Sequence, residues 1–212
     1  MSPAPRAAPR REVRVPQQAR SRRTRERILE AAAACFEEQG YDETTTAAIA
    51  GSAGLAVGSV YDYFHDKRAI LLEILHSTVE VVAELVVQGL APECWRGADP
   101  RASVRNLVHQ VFHARRVQPG VQRIMWERFF KDPEFRAATE AIENRVRGAI
   151  ESLLRELQGR GEIRIDDLST AAFVIQVSVE WISSRLVLGG SRVDVDAAVE
   201  TASDMLSRFL FE

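Results

Sequence analysis

The sequence predicts an all-α protein of about nine helices, in which a small N-terminal three-helix domain precedes a larger helical domain. Apolar residues recur at helical spacing along most of the chain, and no stretch alternates between apolar and polar residues as a strand would. Helix-start signals recur as well. They include two Asp-Pro pairs, Asp99-Pro100 and Asp132-Pro133, in which the aspartate caps a helix and the proline takes its first position.

Composition limits the possible function classes. The 212 residues are 46% apolar, which is ordinary for a globular protein, and the net charge is −2. Two cysteines, Cys35 and Cys94, are too few for a disulfide scaffold or a thiolate zinc site. No apolar run reaches the roughly 18 residues of a membrane span, and the N-terminus lacks the apolar run of a secretory signal. We therefore expect a cytoplasmic protein without a metal, a cofactor or a membrane partner.

The N-terminal segment is strongly basic. Residues 1–27 contain nine arginines against two glutamates, and residues 1–20 contain four prolines and little that a core could bury. We expect residues 1–20 to form a disordered basic arm. Such an arm either contacts nucleic acid or only aids solubility, and the sequence leaves both interpretations open.

Residues 21–66 predict three short helices that share one core. Gly40 ends the first helix, and Thr44 or Thr45 caps the second. Gly54 makes the turn to the third helix, and small residues beside this turn allow two helices to cross steeply, as in a helix-turn-helix. The apolar positions that close this core are Ile28, Leu29, Phe36, Ile49, Leu55, Val60 and Phe64.

Residues 67–212 predict six further helices. Asp66 caps a long helix that runs to about residue 88, and the others begin near residues 100, 121, 133, 167 and 195. Lys67 and Arg68 lie in the first turn of the long helix. A positive charge there opposes the helix dipole, so this placement indicates a nearby anionic partner.

The last two helices, residues 166–189 and 194–211, combine small residues with a wide apolar stripe. A single copy would leave part of this stripe uncovered. We expect the pair to form a four-helix bundle with a second copy of the chain, which makes the protein a homodimer through its last two helices. The alternative is a monomer in which both helices belong to the core.

The middle helices mix aromatic and polar side chains, which is typical of a small-molecule pocket with a few fixed polar groups. Aromatic residues on helices also commonly belong to the core, and that alternative stays open. His109 and His113 lie four residues apart, which could allow them to bind a metal. A solvated pair is favoured over a metal site because no carboxylate or cysteine partner is evident. The candidate ligand-binding residues are His109, Phe112, His113, Trp126, Phe129, Phe130, Phe173, Gln176 and Glu180.

Residues 28–75 resemble the DNA-binding half of the TetR/AcrR family of bacterial transcriptional regulators. The resemblance rests on the stretch ILEAAAACFEEQGYDETTTAAIAGSAGLAVGSVYDYFHDKRAILLEIL, which follows the family pattern in order and spacing. Two departures concern contacts with DNA. Ala47 and Ala48 stand where many relatives carry an arginine or another polar residue, and His65 before Lys67 adds a possible histidine contact.

The resemblance implies which residues contact double-stranded operator DNA. It assigns Tyr61 and Tyr63 to the backbone or base edges, and it assigns Thr44, Thr45, Thr46 and Lys67 to the phosphates. Thr44 and Thr45 can equally be helix caps, and for Tyr63 packing against the first helix is the less favoured alternative.

Val57, Gly58 and Ser59 begin the third helix, where small side chains allow close approach to the major groove. No Arg, Asn or Gln lies between residues 57 and 64, so direct base readout is modest. We expect Arg22, Arg23 and the basic arm to supply part of the affinity.

The leading interpretation is a TetR-type dimeric regulator, a repressor released from its operator by an unidentified small hydrophobic or amphipathic ligand. The alternative is a DNA-binding regulator without a small-molecule effector, controlled by a partner protein or by its own abundance. A helical enzyme or carrier is a third class. It is disfavoured because no carboxylate pair, nucleophile with a base or phosphate-binding glycine loop stands out, so no enzymatic activity is predicted.

Overall fold

The computed structural model describes residues 17–114, 119–188 and 192–212. These ranges contain nine α-helices and one short 3₁₀ helix, and none of their residues lies in a strand. The predicted all-α class and the predicted number of helices are confirmed. The helices are α1 (Gln17–Glu43), α2 (Thr46–Ser52), α3 (Val57–Tyr61), α4 (Lys67–Gly89), α5 (Pro100–Ala114), α6 (Pro119–Lys131), α7 (Pro133–Gly159), α8 (Leu168–Leu188) and α9 (Val195–Phe211).

Helix α1 is longer than the sequence predicts. It begins at Gln17, so residues 17–20 of the predicted arm are helical, whereas residues 1–16 lie outside the described residues. The Gln, Ala and Arg residues that follow the last proline of the segment are good helix formers, which accounts for the earlier start. Gly40 adopts a φ of +78° and breaks the helix at the predicted position, after which the chain continues in helical form to Glu43.

Helices α1, α2 and α3 share one core, as predicted, but this core extends beyond them. Ile28, Ile49 and Val60 are fully buried in it, and Phe36 and Phe64 pack beside them. Three short helices bury too little apolar surface to be stable alone, so other elements complete the core. The added residues come from α4, α6 and the start of α7: Ile70, Leu71, Ile74, Leu75, Val121, Ile124, Met125 and Phe135.

A second core lies among α5, α7, α8, α9 and the end of α4. Phe112, Leu154 and Leu157 are among its most buried side chains. Helix α5 packs along α9, and α7 packs against both α4 and α8. Trp95 follows the 3₁₀ helix (Pro92–Cys94) and is anchored to the end of α4, because its indole N–H donates to the carbonyl oxygen of Gly89 at 2.9 Å.

Aspartates begin five of the helices, including the three predicted caps Asp66, Asp99 and Asp132. Each carboxylate accepts a hydrogen bond from backbone N–H groups of the first turn, which otherwise lack a partner. Asp167 caps α8, and the pKa of its carboxyl is held below its usual value chiefly by a hydrogen bond from the Thr170 hydroxyl. The capping residues are Asp66, Asp99, Asp132, Asp167 and Asp194.

Lys67 joins the start of α4 to the end of α1. Its ammonium group donates to the carbonyl oxygens of Tyr41 (2.7 Å), Asp42 (3.2 Å) and Thr44 (2.7 Å), and it lies 4.4 Å from the centre of the Tyr41 ring. These three contacts match the three N–H donors of an ammonium group. The charge therefore lies at the C-terminal end of α1, where the helix dipole favours it, which offsets its unfavourable place at the start of α4.

Replacing Lys67 by methionine should destabilise the protein, because three carbonyl oxygens lose a charged donor. We expect Lys67→Met to lower the free energy of unfolding by about 2 kcal/mol, measured by urea denaturation followed by circular dichroism. Lys131→Met is the matched control. Lys131 makes only an exposed pair with Glu127 at 2.8 Å, and its loss should cost about 0.5 kcal/mol or less. Equal losses in the two variants would contradict the bridging role of Lys67.

Candidate DNA-binding surface and ligand cavities

The turn between α2 and α3 is fixed by local hydrogen bonds. The Thr45 hydroxyl caps α2 by accepting from the N–H of Ala48 at 3.1 Å. Gly54 has a φ of +64°, a left-handed conformation that glycine adopts without a steric penalty. The guanidinium of Arg27, on α1, donates to the carbonyl oxygen of Ala53 at the end of α2. The two helices are therefore held to each other and to α1.

Helix α3 has one buried side and one exposed side. Val60 is fully buried, whereas Val57 and Tyr61, four residues apart, are 41% and 54% exposed. A Cβ atom added at Gly58 would meet no atom within 4 Å, so the backbone there is open to close approach. We define Val57, Gly58, Ser59 and Tyr61 as the recognition surface. The structure brings these four predicted residues together.

The three predicted threonines occupy different environments. Thr44 is fully buried, and its hydroxyl donates to the carbonyl oxygen of Gly40 at 2.6 Å and lies 3.2 Å from the carbonyl oxygen of Cys35. Thr45 is exposed and caps α2, and Thr46 is half-buried in the first turn of that helix. Thr44 therefore lies on the inner side of the site. The break at Gly40 leaves carbonyl oxygens inside the protein that a hydroxyl must satisfy.

The three predicted DNA-binding residues that follow α3 differ in their exposure and in their contacts. Tyr63 is partly buried against the first core and partly exposed, so packing and DNA contact are compatible in one side chain. His65 is exposed. Lys67 directs its ammonium group at three carbonyl oxygens of the protein, which is a different role from the phosphate contact that the resemblance implies.

The five arginines between residues 20 and 27 of α1 are of two kinds. Arg22 and Arg23 are on exposed parts of the helix, and Arg22 makes only a long contact of 3.7 Å with Glu26. Arg25 forms two hydrogen bonds with Glu73 of α4 and lies 4.9 Å from the centre of the Phe64 ring. Arg27 caps α2 as described. Arg22 and Arg23, which the sequence analysis selected, are exposed to a partner, as is Arg20, whereas Arg25 and Arg27 hold the domain together.

The main cavity, of about 130 Å³, lies between α4, α5, α7, α8 and α9. Its walls are almost entirely aliphatic, and the polar side chains Glu143, Gln176 and Glu180 lie close to one another on α7 and α8. The Gln176 side-chain amide donates to the backbone carbonyl oxygen of Glu143 at 3.2 Å. Two predicted ligand residues, Gln176 and Glu180, therefore line this cavity.

A second cavity, of about 30 Å³, adjoins the first and shares Val79, Val82, Glu143 and Glu180 with it. Helix α6 contributes aromatic side chains to its wall, and two of them, Trp126 and Phe129, were predicted. Trp126 also contacts Trp181 of α8 edge to face, with ring centres 5.0 Å apart. Among the described residues, the buried indole N–H of Trp126 has no hydrogen-bond partner, so it is a donor at the cavity wall.

Five predicted ligand residues lie outside both cavities. Phe112 is buried in the second core, and Phe130 and Phe173 are 68% and 49% exposed. His109 and His113 stack on α5 with ring centres 3.9 Å apart, and the Nδ1 atom of His113 lies 2.9 Å from the His109 carbonyl oxygen.

These five predicted residues lie outside the cavities because only one side of each helix faces a cavity. On α5 that side carries Val108 and Val111. The useful sequence signal was therefore the spacing of the aliphatic residues and not the presence of aromatic ones.

Helix α6 connects the second cavity with the helix-turn-helix domain. The Glu37 carboxylate of α1 accepts hydrogen bonds from the N–H groups of Gly120 (2.9 Å) and Val121 (3.0 Å), in the first turn of α6. A negative charge there is favoured by the helix dipole. A Cβ atom added at Gly120 would lie 2.8 Å from a Glu37 oxygen and 3.1 Å from the Glu37 Cα, so the two helices approach closely.

The far end of α6 makes a second contact with α1. The guanidinium of Arg128 lies 4.4 Å from the centre of the Tyr41 ring. Burial raises the pKa of the Tyr41 hydroxyl above its usual value, although the nearby Arg128 opposes this shift. The ring therefore stays neutral at physiological pH between Arg128 and Lys67.

Arg68 links the start of α4 to the start of α7. Its guanidinium lies 2.7 Å from an Asp132 carboxylate oxygen and 3.0 Å from a Glu134 carboxylate oxygen. Partial burial opposes ionisation of Asp132, but hydrogen bonds from the N–H of Phe135 and from Arg68 outweigh it and hold the pKa below its usual value. The anionic partner that the sequence indicated near Arg68 is thus within the same chain.

The fold and the exposed recognition surface define a helix-turn-helix DNA-binding protein with a larger helical domain. Residues 28–74 match the family of bacterial regulatory proteins called the tetR family, and residues 99–210 match the tetracyclin repressor-like C-terminal domain. The second match alone spans more than half of the chain. The chain belongs to the TetR family and is a DNA-binding transcriptional regulator, a class that is not enzymatic.

Named relatives agree with this assignment. The HTH-type transcriptional repressor AcnR of Corynebacterium jeikeium is 29% identical over 160 residues, which are 75% of this chain and 79% of that protein. The HTH-type transcriptional regulator TtgR of Pseudomonas putida is 29% identical over 201 residues, which are 86% of this chain and 91% of that protein. The crystal structure of a TetR-family regulator from Mesorhizobium loti has the same fold, with a TM-score of 0.76 and 22% identity over 90% of this chain and 96% of that one.

The exposed hydroxyl of Tyr61 provides a test of the recognition surface. Because it lies outside the core, Tyr61→Phe should leave the melting temperature unchanged and weaken binding to DNA selected from a random pool by about three- to tenfold, the value of one hydrogen bond. Thr44→Val is the matched control for a buried hydroxyl. It should lower the melting temperature and leave the DNA affinity of the folded protein nearly unchanged. The reverse pattern would contradict the assignment of the two hydroxyls. Fluorescence anisotropy and calorimetry measure the two quantities.

Proposed function

We propose that this protein is a homodimeric repressor that a small hydrophobic or amphipathic ligand releases from its operator. The carrying observation is that α4 and α6 line the cavities and also hold the helix-turn-helix domain. Lys67 and the buried first turns of α4 join that domain at one end, and Glu37 and Arg128 join it to α6. A ligand that displaces these helices would therefore also displace the recognition surface.

The proposed DNA contacts come from groups that are exposed or partly exposed. Val57, Gly58, Ser59 and Tyr61 approach the base edges in the major groove, because the first residues of a recognition helix lie deepest there. Thr45, Thr46, Tyr63 and His65 flank this surface along the chain and contact phosphates. Arg22 and Arg23 add electrostatic affinity from α1. Thr44 and Lys67 are left out of this set because both are engaged inside the protein.

The proposed dimer forms through α8 and α9. A broad apolar face of these two helices is exposed in the single chain, and water disfavours a patch of this size unless a partner covers it. A two-fold axis through this face would bring two copies of α8 and α9 into a four-helix bundle and place two recognition surfaces on successive half-sites. The exposed residues of this apolar face are Phe173, Val174, Val177, Trp181, Met205 and Phe209.

Release would follow from a population shift. A ligand that binds better to the form with displaced α4 and α6 favours that form, and reversing a population from 1:99 to 99:1 requires about 5.5 kcal/mol of differential affinity. The sign of regulation is carried over from AcnR, which is named a transcriptional repressor.

A cytoplasmic location is part of this proposal. None of the described helices is long and apolar enough to cross a membrane.

The contribution of the α1 arginines is measurable as a salt dependence. Each phosphate neutralised adds about 0.9 to the slope of log affinity against log salt. We expect the double variant Arg22→Ala/Arg23→Ala to reduce this slope by about 1.8 for each bound copy, hence by about 3.6 for a dimer on DNA. The double variant Arg105→Ala/Arg155→Ala removes the same charge from exposed positions of α5 and α7, outside the proposed dimer face, and should leave the slope unchanged. An equal slope in all three proteins would remove Arg22 and Arg23 from the interface.

The exposed face of α8 is tested by a single charge. Val177→Glu should yield a monomer at micromolar concentration in sedimentation experiments, because a dimer would have to bury the carboxylate. Affinity for the operator should fall more than tenfold, since a single copy contacts only one half-site. Val81→Glu is the control, because Val81 is 68% exposed on α4 and should tolerate the same change. A Val177→Glu protein that remains dimeric would contradict the proposed interface.

A further inference from the structure

The main cavity is lined almost entirely by aliphatic side chains. Of its 23 lining residues, 19 are aliphatic, and only one, Trp95, is aromatic. The indole N–H of Trp95 already donates to Gly89. Water in a cavity needs two to four polar partners, and this wall offers them only at Glu143, Gln176 and Glu180. The rest of the cavity therefore suits an apolar occupant.

The lining residues show that the cavity is elongated. On α4 they run from Val79 to Leu90, a distance of about 16 Å at 1.5 Å per residue. On α7 they run from Ile142 to Leu157, about 22 Å by the same measure. In both helices they recur every three or four residues, so one continuous side of each helix faces the space.

The volume of the main cavity is small for its length. A volume of about 130 Å³ distributed over about 16 Å corresponds to an average cross-section of about 8 Å² for the centres of water-sized atoms of an occupant. An occupant that extends along the cavity is therefore narrow.

The two ends of the cavity differ in polarity. Val79, Glu143 and Glu180 belong to the wall that the two cavities share, so the polar side chains lie at the α6 end. Leu90, Trp95 and Leu157 mark the opposite end, which has no polar side chain in its wall. An occupant with a polar group at one terminus and an apolar remainder matches this gradient.

We propose that the effector of this protein is a single-chain amphiphile. Its alkyl tail would extend between α4 and α7 toward Leu90 and Leu157, and its head group would lie beside Glu143, Gln176 and Glu180. A fused aromatic ligand is a poorer match because it is wider than the main cavity, and the aromatic side chains of α6 line only the smaller one. This inference rests on the proposed function, since it names the ligand class of the same site.

The test uses primary alcohols from octanol to hexadecanol, which share one head group, with the full-length dimer and titration calorimetry. Each methylene that enters an apolar site should improve affinity by about fourfold. The gain should stop once the tail fills the cavity.

Val86→Trp fills the cavity four residues before Leu90 on α4, which shortens it by about 6 Å. The gain should then stop several methylenes earlier. Val86→Phe is a milder second variant, used if the tryptophan disturbs folding. Val81→Trp carries the same substitution at an exposed position of the same helix and should keep the wild-type limit.

The outcomes separate this inference from the proposed function, because DNA release is measured with the same ligands. A chain-length limit that moves in Val86→Trp and not in Val81→Trp supports the alkyl site. A limit that does not move, or tight binding of fused aromatic compounds with none of the alcohols, overturns it. If the alcohols bind with the expected limit and leave DNA binding intact, the alkyl site stands and ligand-induced release fails. If only an aromatic compound releases DNA, release stands and the alkyl site fails.

Discussion

Helix α4 contributes to both cores, and the rest of the structure depends on this shared membership. Its first turns bury Ile70 and Leu75 among the side chains of the helix-turn-helix, and its second half lines the main cavity with Val82 and Val86. The intervening backbone is one continuous helix. Helix α4 therefore packs in both regions at once, and under the proposed function this shared packing couples the cavity to the recognition surface.

The charged residues around α1 serve mainly to hold the protein together. Lys67, Arg25, Arg27 and Glu37 each contact a second element of the chain. The recognition surface is consequently small and poor in long polar side chains. Under the proposed function, affinity for DNA comes from phosphate contacts and from the pairing of two copies. Both sources depend on geometry more than on any one side chain.

The two cavities divide the chemistry of the proposed ligand site. The main one is aliphatic and elongated, whereas the smaller one is bordered by Trp126 and Phe129 of α6. Glu143 and Glu180 lie at their junction. A ligand that filled both would contact α6 and α4 at once, and these are the helices held to α1 by Glu37 and Lys67.

Local patterns in the sequence were sufficient to predict most of the helix positions and the helix-turn-helix, because helical periodicity and capping aspartates are signals that neighbouring residues carry. They also placed Val57, Gly58 and Ser59 at the start of α3, which is a single short helix. The positions of Thr44, Lys67, Phe130 and Phe173, and the aliphatic character of the cavity, became apparent in the folded structure. Those depend on which side of a helix meets another element far along the chain, as when Glu37 meets Gly120 83 residues later. Local spacing contains no record of such contacts.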